Sequence, residues 1–179
     1  MASSLEVDLW DVIALDAERE SPLWGDALRP PGAREREPVF SPLGEERFAV
    51  GLETIYEGYL LHYGRPRLFA PPDADDGLLL GDYLYAHGLV RIASFREVDA
   101  VADLAELIST CAQLRADSAA GDGAAWAATA ALLGTGRLAE ARDALSLRGD
   151  PVPLLDLATG ASGGEAVERS LAAHRRRVG

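Results

Sequence analysis

Wherever this chain escapes proline, alanine and leucine fill it. Together they make up about a third of the 179 residues, while valine, isoleucine and threonine are sparse. Small and straight-chain residues lose little freedom in a helix, and β-branched ones favour strands. Summed over long windows, the balance points to an all-α protein, a helical bundle with strands at most incidental. Roughly 150 residues per domain is the usual scale, so one domain with one core is expected.

Proline and glycine set the boundaries. Residues 4–20 read as a first helix, with Ser4 as N-cap and Leu5, Leu9, Val12 and Ile13 on one side. Pro22, Pro30, Pro31, Pro38 and Pro42 then forbid a long helix. The run Arg34-Glu35-Arg36-Glu37 among them reads as a solvated loop. Residues 1–43 therefore form an N-terminal helix and a proline-rich irregular segment, and 44–179 a helical domain. In that domain Phe48, Leu52, Ile55, Tyr56, Tyr59 and Leu60 trace one helical stripe, closed by Gly64 and Pro66.

Asp73, Asp75 and Asp76 should cap and charge-complement the next helix, about 75–93. That helix has few polar positions before Arg91 and reads as central. A further helix is expected over about 96–118, with Val98, Val101, Leu104, Ala105, Ile108, Ala112 and Arg115 on one face. Ala124–Leu133 is small and apolar and allows close helix approach. Leu138–Leu147 follows. Asp150 and Pro151 open a short helix as N-cap and first position, and a last helix covers 165–177.

Charge excludes several functions. The net charge is −12, all 17 basic residues are arginine, and lysine and asparagine are missing. No lysine means no Schiff base, no P-loop lysine and no Ser-Lys dyad. A strongly acidic chain is a poor match for nucleic acid, whose phosphates need a basic surface. His174-Arg175-Arg176-Arg177 reads as a solvated, charge-favourable helix end. No apolar run is long enough to cross a bilayer, no leader peptide is evident, and Cys111 stands alone. A cytoplasmic location is expected.

The segment Gly81-Asp82-Tyr83-Leu84-Tyr85-Ala86-His87-Gly88-Leu89 resembles a signature of the trans-polyprenyl diphosphate synthases. Upstream, Tyr59-Leu60-Leu61-His62-Tyr63-Gly64-Arg65-Pro66 is similar to a compressed form of that family's first motif region. Cys111-Ala112-Gln113-Leu114 falls near a glutamine-containing stretch of its next helix. The likeness spans about residues 45–135. It implies a truncated isoprenoid-synthase-like bundle in which Gly81, Asp82, Tyr83 and Leu84 have structural roles. A buried Asp82 would need a partner such as an arginine.

The family holds an allylic diphosphate through magnesium on two Asp-Asp-x-x-Asp motifs, and magnesium needs converging hard oxygens. Here Tyr63-Gly64-Arg65 follows His62 with no aspartate, and Asp150 and Asp156 are isolated. The resemblance then implies the small, non-catalytic subunit of a heteromeric synthase, working in isoprenoid (quinone side-chain) biosynthesis, with no enzyme activity and no cofactor of its own. Its partner would be a catalytic polyprenyl synthase subunit, or a second copy in a dimer. The expected interface is an outward stripe of Leu80, Tyr83, Leu84, His87 and Arg91.

Two alternatives stand beside this. Leu132–Arg142 reads locally like the middle of a tetratricopeptide unit, which would make the chain a helical adaptor. A degenerate synthase fold with a lipid pocket is the other. His62, His87 and His174 are on separate segments without zinc spacing, and Cys111 reads as a small buried hydrophobe. Arg65 and Arg67 flank Pro66 in a loop that is either solvated or anion-binding.

Overall fold

The structure, a computed structural model, describes residues 8–178. Among them are nine α-helices, joined by loops and short 3-10 turns: α1 Leu9–Glu20, α2 Pro22–Asp26, α3 Ala49–Tyr63, α4 Ala74–Ala93, α5 Val98–Ala116, α6 Asp122–Ala131, α7 Ala139–Arg148, α8 Val152–Ser162 and α9 Gly164–Val178. The protein is an all-α helical bundle. The one isolated β-bridge among the described residues joins Leu28 to Phe69.

Local chemistry accounts for most boundaries. The α1 helix starts at Leu9, where the Asp8 carboxylate accepts the Trp10 amide at 3.2 Å. The expected cap Ser4 lies outside the described residues, as does Leu5. Asp73 caps α4 as expected, accepting the Asp76 N–H at 2.9 Å. Asp150 accepts the Val152 N–H at 3.0 Å at the start of α8. Gly149 ends α7 in the left-handed region, at φ 65°, where a glycine fits without strain.

Helix α3 is the centre of the bundle. Every residue from Gly51 to Leu60 is buried, which includes the expected stripe apart from Phe48, itself buried in the 3-10 turn just before α3, and also Glu53 and Glu57. Helix α4 lies against α3 but is not central, because Leu78, Leu79 and Val90 are exposed on its far side. The two helices run antiparallel and meet through glycines. A Cβ on Gly58 would sit 2.8 Å from the Gly81 carbonyl oxygen, and one on Gly88 would sit 3.0 Å from that of Gly51. Gly51 and Gly58 are seven residues apart, as are Gly81 and Gly88, so each helix offers two backbone-to-backbone contacts on one face.

The larger core gathers Phe40, Tyr56, Tyr59 and Trp126 with leucines of α5 and the alanines of α6, which is buried from Gly123 to Ala130. Val39, Phe40 and Leu43 bring the proline-rich segment into this core. A smaller core joins Trp10, Ile13 and Ala17 of α1 to Ala27, Leu68, Phe69, Leu80 and Leu84. Helix α5 buries Ala100, Leu104, Leu107, Cys111 and Leu114, so the expected face is rotated and Val98 is exposed. Helix α6 packs chiefly on α8. No helix among the described residues is long and apolar enough to cross a membrane.

Candidate functional site

The segment Gly81-Asp82-Tyr83-Leu84 occupies the middle of α4, and each of its residues points a different way. Gly81 faces α3; a side chain there would strike the His62 ring at 2.6 Å. Leu84 is buried in the smaller core together with Leu80. Tyr83 is half-buried, and its ring stacks on Trp24 with centroids 6.0 Å apart. Asp82 is exposed. Its Oδ1 lies 3.2 Å from His62 Nε2, without the alignment of a hydrogen bond, and the expected buried Asp82–arginine pair does not form. The reason is helical phase: the glycine takes the contact with α3, which turns its neighbour to solvent.

The stripe Leu80, Tyr83, Leu84, His87 and Arg91 is one face, but it does not look outward. Helix α1 and the α2 turn cover it. His87 Nε2 lies 3.2 Å from Asp16 Oδ2, Arg91 pairs with the same oxygen, and the Tyr83 hydroxyl is 3.4 Å from the Asp16 carbonyl. This corrects the expected interface: Leu80 and Leu84 are spent inside the chain, and Asp16 is the charged anchor of the contact. Sequence periodicity gave no sign of Asp16, which borders the buried face of α1 beside Ala17.

What α4 turns outward is a second stripe. Leu78, Asp82, Ala86 and Val90 follow at four-residue spacing, with Leu79 beside them, and all five are exposed. Leu79 is 57% and Val90 66% accessible. Phe95 and Val98, just beyond the end of α4, are exposed as well.

The chemistry-bearing residues elsewhere are drawn into two buried networks. Arg67, expected in a solvated or anion-binding loop, is wholly buried. Its Nε donates to Glu57 Oε2 at 2.8 Å, Nη1 donates to Glu53 and to the Glu37 carbonyl, and Nη2 donates to the Glu53 carbonyl. Glu53 Oε1 accepts the Val39 and Ser41 amides, both at 3.1 Å. Glu57 Oε1 accepts the Arg67 and Leu68 amides, both at 2.7 Å. A buried ion pair offsets its desolvation only when its remaining hydrogen-bonding groups are satisfied, and here they are. The network ties the proline-rich segment and the 65–69 loop to α3.

The second network centres on Asp122. Its Oδ2 accepts from the Tyr59 hydroxyl and Arg115 and lies 3.2 Å from His174 Nε2, while His174 Nδ1 is 2.9 Å from the Tyr56 hydroxyl. Burial works against the Asp122 charge. The hydrogen bonds from His174 and Tyr59 and the charges of His174 and Arg115 outweigh it, so the carboxyl titrates well below its ordinary range. Burial pushes the Tyr56 and Tyr59 phenols and the Cys111 thiol up, so none of them is a ready nucleophile near neutral pH. His174 and Arg177 are buried, which corrects the expectation of a solvated helix end. The Arg34–Glu37 run is likewise pinned by ion pairs: Arg36 to Asp8 and Asp11, Glu35 and Glu37 to Arg177, and Glu37 to Arg176.

His62, whose ring stacks on Tyr85 at 5.1 Å, His87 and His174 therefore sit in three separate places. Among the described residues no three His, Cys, Asp or Glu side chains are placed to hold a metal ion, and Asp73 of the acidic run is used as the α4 cap.

The fold and site together define an all-α helical protein with two largely buried polar networks and an exposed, mostly apolar face on α4. No protein-family model, curated protein or solved structure matches the chain.

Proposed function

We propose that the protein is a non-catalytic helical subunit that works by binding another protein, with the outward stripe of α4 as its docking face. The observation that supports this reading is the exposure of Leu78, Leu79 and Val90 around the small Ala86 on a helix whose other faces are already filled. Isolated exposed leucines are common, but a row of them on one helix face is costly to leave in water and characteristic of contact surfaces. Ala86 lets a partner helix approach closely.

The resemblance at Gly81-Asp82-Tyr83-Leu84 nominates the partner: a full-length polyprenyl diphosphate synthase that supplies the metal-binding aspartates this chain lacks. In that pairing the chain contributes surface and no reacting group. The test is co-expression with the synthase of its own source, followed by size-exclusion chromatography at micromolar concentration. Co-elution is expected, together with a change in the synthase's product distribution. Separate elution with unchanged products would overturn the proposal.

A further inference from the structure

The outer stripe of α4 is apolar at its ends and charged within. Asp82 stands in the row between Leu78 and Ala86, and its side chain is 73% accessible. Asp75 is exposed too. It precedes Leu78 and Leu79 by three and four residues and so lies on the same side of the helix. The two carboxylates are seven residues apart, which is about 10 Å along the axis.

Neither charge is met by a cation of the helix itself. Arg91, the one arginine of α4, is turned to the opposite side, where it pairs with Asp16, and His87 joins it there. His62 Nε2 comes within 3.2 Å of Asp82 Oδ1 but without the alignment of a hydrogen bond, and it is itself buried with no partner among the described residues. The imidazole has little freedom to improve this. It stacks on Tyr85 with centroids 5.1 Å apart and sits so close over Gly81 that a Cβ there would lie 2.6 Å from Nε2.

In water Asp82 needs no counter-charge. Under a docked protein it does, because a carboxylate enclosed without a cation opposes association, whereas one met in good geometry favours it. We propose that the outer face of α4 takes an amphipathic helix of the partner protein that carries a basic side chain inside its apolar row, opposite Asp82, and a second one about two turns away, opposite Asp75. This rests on the docking reading above and adds the chemistry of the docked segment. Leu78, Leu79 and Val90 receive its apolar residues, and Ala86 leaves room for close approach. Arginine suits the inner position, since its planar fork can bind both oxygens of one carboxylate. A purely apolar helix would fit the leucines but leave Asp82 unmet, so Asp82 selects the partner as well as holding it.

The test is association and dissociation kinetics of the full chain over the immobilised full-length synthase, at low and at high salt, after circular dichroism has shown equal folding of all variants. Asp82→Asn should bind about tenfold more weakly, chiefly through faster dissociation, with a shallower dependence on salt. Asp75→Asn, at the edge, should slow association by about threefold, and only at low salt. Asp156→Asn, exposed on α8, should match the wild type. Leu79→Arg separates the two readings. If it abolishes binding while Asp82→Asn binds as tightly as the wild type or more tightly, the basic helix is overturned and the docking face stands. An association rate of Asp75→Asn equal to that of the wild type at low salt would overturn the second contact. Failure of the wild type to bind, or full binding by Leu79→Arg, would overturn the docking face and this inference with it.

Discussion

On one side of α4, Gly81 and Gly88 admit the backbone of α3, and Leu80 and Leu84 sink into a core closed by α1. On the other, Leu78, Leu79, Ala86 and Val90 meet solvent. Both faces come from one twenty-residue helix, and both are largely apolar, the outer one carrying the exposed Asp82 between Leu78 and Ala86. Hydrophobicity alone therefore does not tell a buried face from an exposed one. What differs is the covering: on the inner face Gly81 and Gly88 let α3 approach and Leu80 and Leu84 pack under α1, whereas Leu78, Leu79 and Val90 on the outer face are exposed. Substitutions on the two faces should separate folding from assembly.

The largest loss of stability is expected for Leu84→Ala, which opens a cavity between α1, α3 and α4. Such truncations cost about 2–5 kcal/mol, measured by urea denaturation. Gly88→Ala comes next. Its new methyl would lie 2.4 Å from Ile55 Cγ1 and 3.0 Å from the Gly51 carbonyl, so α3 and α4 must part, at about 1–3 kcal/mol. If this variant were as stable as the wild type, the glycine contact would not be what sets the α3–α4 distance.

Asp122→Asn probes a buried network that plays no part in either face. It should cost about 1–3 kcal/mol at pH 7. Because folding depresses the Asp122 pKa, the stability it contributes is fully present above the unfolded value, about 3.9, and is lost progressively as pH falls from there through the much lower folded value. The gap between wild type and variant should therefore begin to narrow below about pH 4, followed by thermal denaturation from pH 7 down to pH 3. The smallest effect on stability, within about 0.5 kcal/mol, is expected for Leu79→Arg, since the site is exposed and arginine is a good helix former.

Much of the helical scaffold could be read from sequence because its signals are local. The stripe from Phe48 to Leu60 marked α3, Gly64 with Pro66 marked its end, and Asp73 marked the start of α4. The polar interior was hidden because its partners are distant. Arg67 reads as a loop arginine until Glu53 and Glu57 are found above it, and Arg177 pairs with Glu35 across nearly the whole chain. A charge run has the same sequence whether it is solvated or pinned. The direction of the α4 stripe failed for a related reason: periodicity defines a face, and only the packing of α1 decides which face is covered. One further signal lies in the sequence, the seven-residue glycine spacing shared by α3 and α4.

The most direct test of the docking role compares the affinities of wild-type and Leu79→Arg chains for the purified full-length synthase, after circular dichroism has confirmed equal folding. Burying a charge in an apolar contact opposes association strongly, so binding should weaken by at least about a hundredfold while the melting temperature stays unchanged. Equal affinity of the two chains, or equal failure of both to bind, would contradict the assignment of the outer face of α4 as the docking surface.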